Sequence, residues 1–413
     1  MRDVQSSALT RNSFQQLMWH WAQLHPYNGV AIVQLTGPAE PERFGVVAAR
    51  AFERLGIRGI VVEVGVGGDD PASIDRRAIG RLATSELNRP FDPTCEWPVR
   101  WSLWPGEGHH HVIMTFDHWM ADGYSMDWLL ASVLAEYVGG SQPDPAAPQP
   151  LPISRLALAT EWLARGPRLV REHVRMRRCH RPAHGDERDL STIAHFPTLP
   201  GDLLVRLQEA ARRHRCTIND LLMTALGEAV VANTPNYLRS PRRGDFAIAA
   251  VVDLRPLRAT RLDVPGMHLS YFNVFCSFEE AEFDRMLVTL RDQAAAAKLG
   301  RRYLQGIPEL AAAAWMWPRL PAGKRIAYFA HRKPVVGGVS NVRVPDRWIA
   351  DALRHRLVSW RHAAPTGPMT PLVVQATSAL GRLEMEISSR ASGYSRDQVA
   401  GITASFCERV ASL

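Results

Sequence analysis

Phe116-Asp117-His118-Trp119-Met120-Ala121-Asp122-Gly123 is the stretch on which the reading of this chain turns. It closes the run His111–His118, HVIMTFDH, in which Val112, Met114, Phe116 and His118 fall on one face at period two, the pattern of a half-buried strand. A histidine at the end of such a strand has a reference pKa of about 6.5, which suits a general base near neutral pH. Asp122 stands across a tight turn from it and is placed to hold the local backbone, with Gly123 expected to supply the φ freedom of the turn. The segment SMDWLLASVLAEYVGG follows as a helix: Leu129, Leu130, Val133, Leu134 and Tyr137 recur at helical spacing, and Gly139 sits where a helix stops. From these residues alone, a capped core histidine beside a turn is as good a reading as a catalytic one.

Outward from this stretch, the first half reads as strand at Val30–Leu35, helix at Glu42–Leu55, strand at Gly59–Val64, helix at Ser73–Leu87 and strand at Val99–Leu103. The segment Gly139–Pro152, GGSQPDPAAPQPLP, then breaks the pattern, because proline at that density opposes both helix and central strand. Beyond it, an arginine-rich amphipathic stretch leads into a second half. Helices are expected there at Leu203–His214, Ile218–Val231, Phe283–Leu299 and Arg396–Leu413. Strands are expected at Phe246–Asp253, Leu269–Phe278, Val335–Val342, Arg356–Trp360, Leu372–Ala376 and Leu383–Ile387. Both halves mix α and β without the strict alternation of a doubly wound sheet, so the fold class is α/β in the broad, mixed α+β sense, in two lobes. The expected division is a first lobe over 1–150, a helical connection over 151–185 and a second lobe over 186–413.

The 413 residues, 46% hydrophobic and 22% charged, exclude collagen-like, disulfide-scaffold and disordered chains. Five scattered cysteines, Cys95, Cys179, Cys216, Cys276 and Cys407, form no CxxC pair, which argues against a zinc ribbon. The amino-terminal residues lack an apolar signal core and no apolar run approaches a membrane span, so a cytoplasmic setting is expected. The net charge of +8, carried almost wholly by arginine, favours anionic partners. Arg175, Arg177, Arg178 and Arg181 are its densest cluster, either a solvated helical face or a docking site for an acidic protein or phosphate. No basic–aromatic interleaving supports nucleic acid as the partner.

The 116–123 stretch resembles the HHxxxDG signature of the chloramphenicol acetyltransferase-like superfamily, which includes nonribosomal peptide condensation domains, polyketide-associated acyltransferases and wax ester synthase/diacylglycerol acyltransferases. Further stretches resemble the family in the expected order: Gln16–Asn28 (QLMWHWAQLHPYN), Asn88–Trp101 (NRPFDPTCEWPVRW), Thr217-Ile218-Asn219-Asp220, Asp253-Leu254-Arg255-Pro256 and Ser340-Asn341-Val342. The resemblance spans nearly the whole chain and departs at one place, where Asp117 replaces the first histidine of the signature.

The resemblance implies two acetyltransferase-like lobes in a V-shaped pseudo-dimer, with an active-site tunnel between them. It implies that His118 takes the proton from an amine or alcohol acceptor, which then attacks an acyl thioester on the phosphopantetheine arm of an acyl or peptidyl carrier protein, or on coenzyme A. A stand-alone, condensation-like acyltransferase of natural-product biosynthesis follows as the expected function, amide formation being favoured over ester formation by the PYN-type opening. No cofactor is expected to be bound permanently, and a monomer is expected. Asp117, Asp122, Gly123 and Arg255 are expected to support the site, Asp122 in an ion pair with Arg255. Trp119, Ser340 and Asn341 are expected to contact substrate or the oxyanion. The alternative is a catalytically degenerate module that binds a carrier protein or partner enzyme and has lost its chemistry with the first histidine.

Other candidates are weaker. Successive side chains on a strand diverge, so His109-His110-His111 is not expected to gather a metal, and no metal site is assigned. Thr217 and Asp220 fit a helix cap better than a substrate contact. Gly65-Val66-Gly67-Gly68 lacks the spacing of a dinucleotide loop. Ala311–Trp317 reads as core.

Overall fold

A computed structural model of the chain describes residues 11–54, 62–64, 75–92, 98–140, 166–235, 240, 242–257, 266–280 and 282–413. Most of the proline-rich break, the start of the arginine-rich stretch, Cys95 and the glycine run at 65–68 lie outside the described residues. In the first half the elements run α1 (Ser13–Ala22), β1 (Asn28–Thr36), α2 (Pro41–Glu53), β2 (Val62–Val64), α3 (Arg76–Asn88), β3 (Val99–Gly106), β4 (His109–Asp117) and α4 (Gly123–Tyr137). The middle of the chain adds α5 (Gly166–Arg177), β5 (Thr192–His195), α6 (Leu203–Arg213), α7 (Ile218–Ala232), β6 (Asp245–Asp253), β7 (Leu269–Ser277) and α8 (Phe283–Leu299). The last part contributes α9 (Gly306–Met316), α10 (Ala322–Arg332), β8 (Gly337–Arg343), α11 (Asp351–Arg354), β9 (Leu357–Ala363), β10 (Leu372–Ala379), β11 (Arg382–Arg390) and α12 (Arg396–Ser412).

Two sheets organise these elements, in strand order β2-β3-β4-β1-β9 and β5-β11-β10-β8-β6-β7. β1 is central in the first sheet and buried on both faces, which is why it reads as a nearly continuous apolar run. Ala31, Val33 and Leu35 pack with Phe44 of α2 and Leu130 of α4, whereas Val30 and Ile32 pack with Ile79 and Ala83 of α3. The second sheet alternates. Phe246, Ile248 and Ala250 of β6 join the core built with α7, α8 and α12, so Ala249, Val251 and Asp253 face the other way.

The contiguous division of the chain does not survive at β9. The strand expected at Arg356–Trp360 runs Leu357–Ala363 and pairs antiparallel with β1, so a segment of the second half completes the first sheet. Val344, Trp348, Leu353 and Trp360 enter the first lobe's core with it. The physical reason is apolar area: the edge of β1 and the flank of α4 are covered only when this excursion docks. The lobes are closed against each other further by α3, whose apolar face takes up Ala194 and Phe196 from the region of β5.

Helix starts follow their caps. Asn12 with Gln15, Thr217 with Asp220 and Ser395 with Gln398 each form a capping box, which settles Thr217 and Asp220 as a cap. Gly139 follows α4 with φ +88°, the left-handed position of a helix stop.

Candidate active site

A cavity of about 350 Å³ opens between the two sheets. The first lobe lines it with Met18 and Trp21 of α1, with Tyr27, and with Phe116 and His118 at the end of β4. The second lobe lines it with alternate positions of β6 and β10, among them Asp253 and Gln375, and with the consecutive residues Gly338–Arg343 of β8, Ser340 among them.

His118 is fixed from three sides. Its backbone N–H donates to the carbonyl of Tyr27 at 2.9 Å. The imidazole stacks on the Tyr27 ring with centroids 5.7 Å apart and planes 20° apart, and meets the edge of Phe116 at 5.9 Å. Among the described residues its Nδ1, which is buried, has no partner at full hydrogen-bond geometry. Burial pushes the imidazole pKa below its ordinary value, and the backbone at His118 and Ala121 and the Asp122 carboxylate pull only partly against it. At neutral pH the ring is therefore uncharged, the state in which it can accept a proton. Burial also raises the Tyr27 phenol, which keeps its proton.

Asp122 is fully buried and ties the lobes together. Its Oδ1 caps α4 by accepting from the Ser125 N–H at 2.9 Å, and accepts from Arg255 Nη2 at 2.9 Å; Oδ2 accepts from the His268 N–H at 2.8 Å. Burial alone would raise this carboxyl, but Arg255 and the two backbone donors outweigh it and hold it below the usual carboxylate range. Arg255 also reaches Asp253 through Nη1 at 3.2 Å, and its guanidinium lies 4.8 Å above the Tyr124 ring. The pair joins the start of α4 to the segment after β6, across the cavity wall.

This two-sheet frame, closed by a returning strand around one cavity, has counterparts among solved structures. The first condensation domain of the calcium-dependent antibiotic synthetase superposes with a TM-score of 0.64 at 16% identity, over 97% of this chain and 95% of that one. This is the condensation-domain fold. The trichothecene 15-O-acetyltransferase of Fusarium sporotrichioides shares it with a TM-score of 0.70 at 10% identity, over 97% of this chain and 94% of that chain. Polyketide synthase associated protein 5 of Mycobacterium tuberculosis shares it at 0.60 and 14% identity, over 96% and 97%. No protein-family model matches the sequence, and no curated protein matches it. At these identities the likeness is one of fold.

Within the condensation-domain fold the remaining sequence candidates fall at different depths. Ser340 and Asn341 line the cavity, Asn341 at its exposed rim with Nδ2 donating to Asn219 Oδ1 at 2.9 Å. Gly123 lines it too, but the expectation about its backbone is corrected: it is the first residue of α4, its φ is not positive, and a Cβ there would meet nothing within 4 Å. Trp119, expected at the substrate, is not among the cavity-lining residues. Its ring instead carries the guanidinium of Arg11 at 4.6 Å, the same distance that separates Arg11 from Trp19, and it packs with Leu17, Trp21 and Trp317. The turn after β4 sends Trp119 into this interlobe cluster rather than into the opening. Asp117 also stands off the cavity, because it alternates with Phe116 and His118 along the strand. Burial pushes its carboxyl up to about 7, against hydrogen bonds from Trp119 and the charge of Arg11.

Two cavity residues were not singled out as site residues in the sequence. His362 on β9 reaches the site only through the strand crossing; its Nε2 lies 2.7 Å from Asp127 Oδ1 and its Nδ1 2.9 Å from Thr377 Oγ1. Asp253 was visible only as part of the DLRP stretch, and alternation along β6 turns it inward. Among the described residues no group of three His, Cys, Asp or Glu side chains is placed to hold a metal ion, and no helix is long and apolar enough to cross a membrane.

Proposed function

We propose that the chain is a condensation-type acyltransferase that moves an acyl group from a thioester to an amine or hydroxyl acceptor, with His118 as general base. The observation that carries this reading is the His118 imidazole lining an interlobe cavity, its Nδ1 buried and its pKa held below the ordinary value by burial. In this scheme the acceptor's N–H or O–H gives its proton to Nε2 as its lone pair attacks the thioester carbonyl. The tetrahedral oxyanion collapses, the C–S bond breaks, and the departing thiolate takes the proton back from the imidazolium. Ser340 and Asn341, which line the same cavity, are read as donors to the oxyanion. The thioester is already activated, so no nucleophilic serine is required.

The donor is read as the phosphopantetheine arm of an acyl or peptidyl carrier protein, or coenzyme A, consumed as substrate rather than held as a resident group. The solved relatives in synthetase and polyketide-associated settings support a place in natural-product biosynthesis. The cluster Arg175, Arg177, Arg178 and Arg181, on and just after α5, is the surface read as meeting the acidic donor partner.

The test is thiol release from a panel of acyl-carrier and acyl-coenzyme A thioesters offered with amine and alcohol acceptors. His118→Ala is expected to lower turnover by about 10²–10⁴-fold while melting cooperatively. Unchanged turnover in a folded variant would overturn the role. Asp117→His separates catalysis from the degenerate-module alternative: because Asp117 stands off the cavity, restoring the histidine is expected to leave the rate of an active enzyme within a few-fold. A wild type with no turnover that Asp117→His revives would establish the alternative.

A further inference from the structure

Two carboxylates line the cavity, Asp122 and Asp253, and they differ in what is left for a ligand. Asp122 is fully buried and committed at both oxygens, to Ser125, Arg255 and His268. Asp253, the last residue of β6, uses Oδ1 alone: it accepts from the Arg255 N–H at 2.9 Å and from Nη1 at 3.2 Å. Among the described residues its Oδ2 has no hydrogen-bond partner, and its side chain keeps 35% of its exposure.

The charge count points the same way. Among the described residues one guanidinium, Arg255, is ion-paired with both Asp122 and Asp253, so two carboxylates share one positive charge. Arg343 also lines the cavity, but it makes no ion pair with Asp253 among the described residues. A partly buried carboxylate that shares its counter-charge complements a cation. Its position is suited to the acceptor: Arg255 links Asp253 to Asp122, the carboxylate whose charge His118 feels. Leu269, paired with Asp253 across β6 and β7, and Tyr271, paired with Val251, line the cavity beside it, and Tyr27 and Phe116 line it from the other lobe.

We propose that Asp253 is a specificity-determining residue of the acceptor subsite, binding a primary amine in its ammonium form at Oδ2. The inference deepens the acyltransfer reading by naming the acceptor class, an alkyl- or aryl-ammonium compound rather than an alcohol. It concerns the ammonium complex only; to reach the lone-pair form that attacks the thioester, the bound ammonium first gives one proton to solvent.

The experiment measures binding to the full chain, without any thioester, of two matched probes, hexylamine and 1-hexanol, by ligand-observed NMR at pH 7. A charge-assisted hydrogen bond predicts that hexylamine binds about tenfold tighter or better. Asp253→Asn keeps the Oδ1 acceptor for Arg255 and removes the charge; it is expected to bring the two probes within about twofold of each other. His118→Ala is expected to leave the preference in place, so a failure of the acyltransfer reading and a failure of this one are separable. Salt supplies a second measurement on the unmutated protein should Asp253→Asn not fold: hexylamine binding is expected to weaken with ionic strength and hexanol binding is not. Equal affinity for the two probes, no detectable hexylamine binding, or a preference that survives Asp253→Asn or added salt overturns the proposal.

Discussion

His362 Nε2 and Asp127 Oδ1 meet at 2.7 Å, an imidazole on the returning strand β9 against a wholly buried carboxylate on α4. Trp360 Nε1 donates to the same oxygen at 2.7 Å, and His362 Nδ1 continues to Thr377 on β10 at 2.9 Å. One carboxylate thus organises helix, crossing strand and second sheet at the edge of the cavity. Asp127→Ala strips the charge partner from two buried donors and is expected to destabilise the protein by about 3–5 kcal/mol. Urea unfolding checks this; a loss below about 1 kcal/mol means the network is solvated and inert.

The Asp122–Arg255 pair makes a prediction with a definite sign. Asp122 is held below its ordinary value in the fold, so its contribution is present above the unfolded carboxyl pKa of about 3.9 and disappears as pH falls through the lower, folded value. Asp122→Asn is expected to be less stable at pH 7 and to lose less additional stability on acidification. Parallel acid limbs in the two proteins would remove the carboxylate from the account.

Asp117 has the opposite sign. Burial raises its carboxyl to about 7, so the folded protein holds a proton there that the unfolded chain has given up. The stability this protonation supplies is complete below about pH 3.9 and falls away as pH climbs towards 7. Melting temperature in the unmutated protein is therefore expected to carry a descending component between pH 4 and 7.5 that Asp117→Asn lacks. Identical slopes in the two would show that Arg11, 4.6 Å above the Trp119 ring, already neutralises the carboxylate.

Much of this was legible in the residues. Apolar strand patterns placed Val30–Leu35 and Phe246–Asp253 within strands that run Asn28–Thr36 and Asp245–Asp253, and Gly139 ends α4 as its position suggested. The Asp122–Arg255 bridge is present at 2.9 Å, as the resemblance implied. Other features were hidden for reasons of range. α1 buries Leu17, Met18 and Trp21 against α9 and Trp119, a surface supplied by distant segments, so its composition shows no clean polar face. β5, four residues long, is too short for a periodic signal. Alternation reports which face a residue occupies and not which sheet, so β9 was readable as a strand while its sheet was not, and His362 and Asp127 went unseen. Trp119 was misplaced because adjacency to His118 in sequence says nothing about the direction of the turn between them.

Gly29 tests how tightly the base is held. A Cβ at this position would come within 2.6 Å of the Phe116 ring, which itself abuts His118 at 5.9 Å. Gly29→Ala must displace that ring, and is expected to cost about 1–3 kcal/mol and to lower turnover at least about tenfold through misorientation of the imidazole. Gly123→Ala, where a Cβ meets nothing within 4 Å, is the paired control and is expected to fold normally. Equal turnover in Gly29→Ala and the unmutated protein would show that the Phe116 contact does not set the geometry.

The return of β9 to the first sheet also bears on how the protein is made. β1 ends at Thr36, yet the strand that covers its edge begins at Leu357, so a ribosome must polymerise the intervening chain before the first lobe can close. At about 5–20 residues per second that interval lasts on the order of tens of seconds, during which β1 presents an open hydrogen-bonding edge to solvent or to a chaperone. Arrested nascent chains ending before 357 are expected to be protease-sensitive throughout the first lobe, and chains extended beyond 379 to gain protection there in one step.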